Sequence, residues 1–172
     1  MAEQHVRLDE DFDQVENEED TQEGKYLTFR IGKEEYGIEI RYVTEIIGIQ
    51  KITDLPDTPD FVKGVINLRG KVIPVIDVRL RFSLEERDYD ERTCIIVVNI
   101  NGTSVGLIVD SVSEVLDIPA GDIELPPKVN KGAGSRYIQG LGKVGESVKI
   151  LLNIHRLLFE DEMEQIVESL QG

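Results

Sequence analysis

The sequence of 172 residues has no tryptophan and a single cysteine. One cysteine cannot form an internal disulfide, and Cys94 begins the apolar run CIIVV, so we expect a buried thiol. No apolar run approaches the roughly 18–20 residues that a helix needs to cross a bilayer. The N-terminus also lacks the basic-then-apolar order of a signal peptide. The sequence therefore predicts a cytoplasmic protein with no direct membrane insertion.

Basic residues are scarce, with 19 Lys and Arg against 34 Asp and Glu, for a formal charge of −15. Binding to nucleic acid or to an anionic membrane requires dense positive charge, so the net charge argues against both functions. Residues 1–23 carry ten of the acids and only one base, Arg7. A segment with so few apolar residues cannot offset its ordering entropy, which predicts a disordered tail. The alternative is a docking arm for a basic partner.

Few residue patterns typical of catalysis are present. The two histidines, His5 and His155, are far apart, and no HExxH or CxxC occurs. The GxSxG spacing occurs in GTSVG (102–106), but between two predicted strands and not at the strand-to-helix turn of a nucleophile elbow. GAGSR (132–136) lacks the Lys-Ser/Thr ending of a phosphate loop. Asp77 and Asp110 each end an apolar strand, where capping or turn formation is the expected role. The sequence predicts neither an enzyme nor a cofactor or metal site.

Short runs rich in Val, Ile and Leu dominate the chain from Lys25 onward. Many such runs, separated by Gly, Asn, Asp and Pro, predict the strands of small barrels or a sandwich. The predicted strands are YLTFRI (26–31), EYGIEI (35–40), VTEIIGI (43–49), VINL (65–68), KVIPVID (71–77), TCIIVVNIN (93–101), SVGLIVD (104–110), SVSEVLDI (111–118), YIQGLGKV (137–144) and SVKILLNI (147–154). Only the C-terminal part, about 156–170, has helical spacing. We predict an all-β, or mainly β, protein with a short C-terminal helix.

The chain contains an internal repeat. A shift of 69 positions places FRIGKEEYGIEIRYVTEI (29–46) over VNINGTSVGLIVDSVSEV (98–115) without a gap. The matched residues include Gly37 with Gly106, Val43 with Val112, and Glu45 with Glu114. We infer two copies of a five-stranded unit, about 25–85 and 92–155. The alternative is that the match reflects only the similarity of any two amphipathic strands.

The hairpin NLRGKVIPVID (67–77) differs between the copies. The second copy has GLGKVGES (140–147) at this place, with no arginine between its strands. Gly70 is expected because a tight hairpin needs a residue with positive φ, whereas the fold alone does not demand Arg69. Pro74 cannot donate to a ladder, so it predicts an edge or a bulge in the outgoing strand.

Several segments together resemble the CheW coupling proteins of bacterial chemotaxis. They are FRIGKEEYGIEI, VTEI and TPDFVKGVINLRGKVIPVIDVRLRF in the first half, and VGLIVDSVSEVL and YIQGLGKVGESVKILLNI in the second. The resemblance covers about 25–160 and implies a CheW-like domain over 24–172. It implies two five-stranded SH3-like β-barrels packed around a shared hydrophobic core.

The resemblance also implies a non-enzymatic adaptor in signal transduction. Such a protein bridges the cytoplasmic tips of methyl-accepting chemoreceptors to the regulatory domain of the histidine kinase CheA, and is a monomer in isolation that assembles in membrane-associated receptor arrays. Matching positions assign receptor contact to Val43, Glu45, Gly64, Leu68, Arg69, Gly70, Val112 and Val115. Kinase contact falls on Ile38 and Ile40.

Other functions remain open from the residues alone. A freestanding β-barrel for a small ligand would need a closed apolar pocket with a few convergent polar groups. A CheW-like module of another two-component system is a further alternative. A fragment of the kinase, or of an adaptor fused to a phosphoacceptor domain, is disfavoured because no receiver-like βα repeat or ATP-binding glycine box accompanies the barrels.

Overall fold

Strands make up most of the computed structural model, which describes residues 22–126 and 135–159. The strands are β1 (Lys25–Ile31), β2 (Glu34–Glu39), β3 (Val43–Gly48), β4 (Val62–Leu68), β5 (Lys71–Asp77), β6 (Cys94–Ile100), β7 (Thr103–Val109), β8 (Ser111–Asp117), β9 (Ile123–Glu124), β10 (Ile138–Val144) and β11 (Ser147–Leu152). Two short helices, α1 (Val78–Arg81) and α2 (Ile154–Phe159), each follow the last strand of a copy.

Two predicted segments fall largely outside the described residues. The predicted disordered tail, 1–23, lies outside them except for its last two positions. The predicted C-terminal helix, about 156–170, is described only as far as Phe159, and α2 begins at Ile154. The remainder of both predictions stays untested.

The strands form two sheets, and each sheet draws strands from both halves of the chain. Sheet I has the order β3-β6-β7-β5-β4, and sheet II has the order β8-β1-β2-β11-β10-β9. The chain crosses from sheet II to sheet I between β2 and β3, and returns between β7 and β8. The predicted copies, 25–85 and 92–155, therefore do not coincide with the sheets.

The exchange is reciprocal. In the first copy β1 pairs with β8 and β2 pairs in parallel with β11, while in the second copy β6 pairs with β3 and β7 pairs in parallel with β5. The hairpins β4–β5 and β10–β11 correspond at a shift of 76 positions, since Leu68 faces Lys71 and Val144 faces Ser147. Each sheet thus repeats the other with the copies exchanged.

Among the described residues, buried side chains form three clusters. The largest joins the two sheets, with Phe29 and Ile38 from sheet II and Ile96 and Leu107 from sheet I among its members. A second cluster lies within sheet I around Val75 and a third within sheet II around Leu151. Burial of aliphatic surface is the main stabilising contribution in such a core. The mainly β fold around a shared core is confirmed, but only sheet I has five strands, because the two-residue strand β9 adds a sixth strand to sheet II.

A buried arginine lies where the two copies meet. The guanidinium of Arg81 stacks on the ring of Phe61 at 4.4 Å and on the ring of Tyr137 at 4.8 Å, measured from its carbon to each centroid. Phe61 and Tyr137 are equivalent in the two copies. Arg81 Nε also donates to the Leu157 carbonyl at 3.1 Å. This one side chain therefore links the end of sheet I to α2.

Pro74 lies neither on an edge strand nor in a bulge of its own strand. Strand β5 has β4 on one side and β7 on the other. The register shift lies opposite, in β4 between Val62 and Gly64, and the parallel ladder to β7 begins at Val75. Because that ladder begins one residue after Pro74, the strand accommodates the missing N–H in an inner position.

Candidate functional site

The hairpin tip between β4 and β5 carries two of the predicted receptor-contact residues. Leu68 and Lys71 face each other across a two-residue turn in which Arg69 has φ +51° and Gly70 has φ +87°. Positive φ at both positions defines a type I′ turn. The Asn67 side-chain oxygen accepts from the Gly70 N–H at 2.8 Å. The predicted positive φ of Gly70 is confirmed.

Arg69 adopts a backbone conformation that most side chains avoid. Left-handed φ is uncommon for residues other than Gly, Asn and Asp, and such strained residues cluster at functional sites. The equivalent position in the second copy is Gly145, with φ +60°. The sequence contained this signal, because aligning the two hairpins by their turns places Arg69 opposite a glycine.

The Arg69 guanidinium forms a two-point ion pair with Glu45. Arg69 Nη1 donates to Glu45 Oε1 at 3.0 Å, and Nη2 donates to Oε2. The Arg69 side chain is 70% exposed and that of Glu45 is 28% exposed. The hydrogen bond from Arg69 keeps the pKa of Glu45 below its usual value. The pair places the hairpin tip beside strand β3, and most of the Arg69 side chain stays accessible to a partner.

The apolar members of the predicted receptor set lie on three edge strands. Strands β3 and β4 are the two edges of sheet I, and β8 is one edge of sheet II. Val43 and Val112, equivalent in the two copies, are half-buried and pack against the shared core. Val115 is 50% exposed, and Leu68 is half-buried against the sheet I cluster. The accessible aliphatic surface therefore lies at the outer edges of both sheets.

Gly64 has a structural explanation. It is buried, its φ is +142°, and a Cβ at this position would lie 2.0 Å from the Thr53 carbonyl oxygen. Thr53 and Val65 exchange backbone hydrogen bonds of 2.8 and 2.9 Å across this point. The absence of a side chain at Gly64 lets the preceding segment pair with β4.

The two predicted kinase-contact residues have different environments. Ile38 is fully buried in the shared core, so its side chain presents no surface to a partner in this structure. Ile40 is half-buried in the 3-10 turn Ile40–Tyr42, at the crossover between the sheets. The accessible surface for this predicted contact comes from Ile40.

The strand-end acids have the structural roles expected from the sequence. Asp77 caps α1 by accepting from the Arg79 N–H at 2.9 Å, and it also accepts from the Tyr89 hydroxyl at 2.8 Å. Asp110 accepts from the Gly32 N–H at 2.8 Å in the turn between β1 and β2. Asp110 also accepts from Arg79 Nε at 2.9 Å, and no pattern in the sequence indicates this ion pair.

The described part of the chain has neither a metal-binding cluster nor a membrane-spanning helix. Among residues 22–126 and 135–159, no three His, Cys, Asp or Glu side chains cluster in a way that holds a metal ion. The same residues include no helix long and apolar enough to cross a membrane.

Known proteins resemble this chain over most of its length. Residues 25–162 match the family model described as the CheW-like domain. A CheW chemotaxis protein of Klebsiella aerogenes is 44% identical over 139 residues, covering 81% of this chain and 84% of that protein. The Treponema pallidum CheW protein is 33% identical, covering 81% and 85%. The crystal structure of the scaffolding protein TtCheW from Thermoanaerobacter tengcongensis superposes with a TM-score of 0.74 at 39% identity, covering 81% and 94%. The chain therefore belongs to the CheW family of chemotaxis scaffold proteins.

Proposed function

We propose that this protein is a non-enzymatic adaptor that couples the cytoplasmic tips of methyl-accepting chemoreceptors to the histidine kinase CheA. Membership of the CheW family and the likeness to a scaffolding protein support an adaptor. In this proposal the protein acts through binding free energy, because an adaptor shifts the kinase between states without chemistry of its own. It works in the cytoplasm, recruited to receptor arrays at the membrane.

The observation that carries the proposal is the position of Arg69. Its guanidinium is exposed beside the aliphatic edge of β3, at a turn where the second copy has a glycine. A helical receptor tip presents an apolar stripe edged by polar side chains, and such helices dock on aliphatic surface. Val43, Val112 and Val115 would bury the stripe. Arg69 would donate charge-assisted hydrogen bonds to a carboxylate or carbonyl at its margin.

The remaining members of the receptor set have supporting roles in the proposal. Glu45 orients the guanidinium, and Gly70 and Gly64 allow the hairpin to hold its shape. Leu68 extends the apolar surface at the hairpin tip. Kinase contact is proposed at Ile40, close to the crossover, with Ile38 supporting it from the core.

Reconstitution with receptor cytoplasmic fragments and CheA tests the adaptor function. We expect kinase autophosphorylation to rise only when all three proteins are present, and the three to co-sediment. A useful control is Lys143→Ala, which removes the cation of another exposed ion pair, with Glu124 of β9 at the edge of sheet II opposite β8, and should leave activation unchanged. Absence of both kinase activation and a ternary complex would contradict the proposal.

A further inference from the structure

The root of strand β8 is held by a largely buried ion pair. Asp110, between β7 and β8, accepts from Arg79 Nε at 2.9 Å and from Arg79 Nη2 at 3.0 Å. The side chains of Arg79 and Asp110 are only 16% and 11% exposed. Arg87 Nη1 donates to the same carboxylate at 3.2 Å. Two-point pairing of this kind fixes orientation as well as distance.

The same residue ties together three parts of the fold. The Asp110 carboxylate accepts from the Gly32 N–H, and the Asp110 N–H donates to the Arg30 carbonyl at 3.1 Å, so both groups bind the β1–β2 hairpin of sheet II. Arg79 belongs to α1, directly after β5 of sheet I. Asp110 therefore joins the two sheets at the point where the chain crosses between them.

A second attachment holds β8 farther along. The β1–β8 ladder shifts register between Leu27 and Phe29, opposite Val115 and Val112. At this bulge the buried Thr28 hydroxyl donates to the Glu114 carbonyl at 2.7 Å and accepts from the Glu114 N–H at 3.1 Å. The Thr28 side chain of β1 thus fixes the backbone of β8 between Val112 and Val115.

The equivalent positions at β3 lack the buried ion pair and have one side-chain hydrogen bond at the bulge where β8 has two. Arg41 occupies the place of Asp110, is largely exposed, and contacts only Glu39 at 3.4 Å and the Tyr42 ring at 4.7 Å among the contacts of the described residues. Val97, which has no hydroxyl, occupies the place of Thr28, although Thr44 Oγ1 donates to its carbonyl at 3.0 Å. The ion pair that reaches β3, Arg69–Glu45, is exposed and therefore weak and sensitive to salt.

We propose that Asp110, Arg79 and Thr28 are positioning residues that make β8 the fixed wall of the receptor-binding surface, and that β3 is the wall that adjusts when a helix docks. The inference rests on the proposed function for the identity of the docking helix. The physical ground is the difference between the two restraints. Displacing β8 separates a buried charged pair, whereas displacing β3 separates an exposed one.

Hydrogen exchange of the full-length protein, read separately for the amides of β3 and β8, tests the inference without a partner. We expect β8 amides to exchange at least about tenfold more slowly than β3 amides under native conditions. We also expect Asp110→Asn to accelerate exchange in β8 by a larger factor than in β4 and β5. Equal exchange of β3 and β8 in the wild type, or unchanged β8 exchange in the variant, would overturn the inference.

A binding measurement extends the test to function. Asp110→Asn should weaken binding of a receptor cytoplasmic fragment about tenfold. Arg79→Lys, which keeps the charge but loses the two-point geometry, should be intermediate in both exchange and affinity. Arg41→Ala, at the equivalent crossover, is the matched control and should change neither. If Asp110→Asn does not fold, the graded response of Arg79→Lys decides the outcome.

The two proposals fail in different ways. If the wild-type protein does not bind the receptor fragment, the proposed function is wrong, whereas the exchange difference between β3 and β8 still decides whether β8 is the fixed strand. If the fragment binds and accelerates exchange in β8 but not in β3, the assignment of the adjusting wall is wrong and the proposed function stands.

Discussion

The two hairpin tips differ in the residue that begins the turn, Arg69 in the first copy and Gly145 in the second. Both positions have positive φ, which glycine adopts at no steric cost and arginine does not. Since the second hairpin closes without an arginine, the turn requires the backbone angle but not the side chain. The Arg69 side chain is therefore an addition to the barrel, and its contact with Glu45 and its exposure point to a role in binding.

Other equivalent positions also distinguish residues that the fold requires from residues that serve one copy alone. Gly64 of β4 and Gly140 of β10 are both glycine, and each allows a neighbouring segment to pair closely with its strand. Asp110 and Arg41 differ, and so do Phe61 and Tyr137. Positions with the same residue in both copies indicate what the fold requires. Positions with different residues indicate where one copy has a role that the other lacks.

The largest effect is expected from Gly64→Ala. The new Cβ would meet the Thr53 carbonyl at 2.0 Å and would force alanine into φ +142°. We expect a loss of about 4 kcal/mol or more in the free energy of unfolding, measured by urea denaturation, or failure to fold. Gly140→Ala meets only the Ile123 methyl group at 2.7 Å and should lose about 1–2 kcal/mol. Equal losses of unfolding free energy in the two variants would contradict this explanation, which rests on the atoms that each new Cβ would meet.

Asp110→Asn should have the next largest effect. Removing one partner of this mostly buried pair is expected to cost about 3 kcal/mol at neutral pH. Arg41→Ala, at the equivalent crossover, should cost less than about 0.5 kcal/mol. The two values, measured in parallel urea titrations, test whether only one crossover is held by charge.

The cost of Asp110→Asn should also depend on pH. Burial alone would raise the pKa of Asp110, but the hydrogen bonds from Arg79 and Gly32 hold it below its usual value. A lowered folded-state pKa adds stability that is complete above the unfolded-state value of about 3.9 and is lost as the pH falls through the folded-state value. The stabilities of wild type and variant should therefore converge below about pH 4. A difference that stays constant down to pH 2 would contradict this origin.

Arg69→Gly gives the first turn the residue that the second turn has at the equivalent position, Gly145. We expect receptor-fragment affinity to fall about tenfold, because the charge-assisted donor is lost. The free energy of unfolding should stay within about 0.5 kcal/mol, because the relieved strain offsets the lost exposed pair and the added chain entropy. Arg69→Ala should bind equally poorly and be slightly less stable than Arg69→Gly. Unchanged affinity in both variants would remove Arg69 from the site.

Tyr137→Phe should give the smallest effect, and in the opposite direction. The Tyr137 hydroxyl is buried and has no hydrogen-bond partner among the described residues, while its equivalent is Phe61. Removing the unpaired group should raise the free energy of unfolding by up to about 1 kcal/mol. Tyr89→Phe is the matched control, because its hydroxyl donates to Asp77, and it should lose about 1 kcal/mol. A destabilised Tyr137→Phe would indicate that its hydroxyl has a partner.

The sequence predicted the strands and the repeat well, but it did not predict the exchange between the sheets. Within one copy, β1 could pair with β3 and β2 with β5. In the structure β1 pairs instead with β8, the equivalent of β3, and β2 pairs with β11, the equivalent of β5. The similarity between the two copies is the same in both arrangements, so it does not show which copy supplies the neighbouring strand. Only packing in three dimensions separates the two.

The site was predicted in part for a related reason. Glu45 and Arg69 were both candidates, but their contact joins residues 24 positions apart through the closing of sheet I. Arg79 and Asp110 are 31 positions apart and meet only because the chain crosses between the sheets at Asp110. Ile38 was assigned to a surface from the family resemblance, which implies that apolar strand surface contacts the kinase. The residue pattern of a strand does not show which of its faces is covered. Strand β2 lies between β1 and β11 and turns Ile38 into the core.

The reciprocal exchange of strands also imposes an order on biosynthesis. Sheet I can be completed once Val109 has left the ribosome, whereas β1 and β2, made first, acquire their last neighbour only when β11 emerges at 147–152. Pairings between such distant segments slow folding, because loop-closure entropy is lost before the contacts form. The first strands to be translated are thus among the last to reach their final partners, and no fragment that stops between the copies contains a complete sheet.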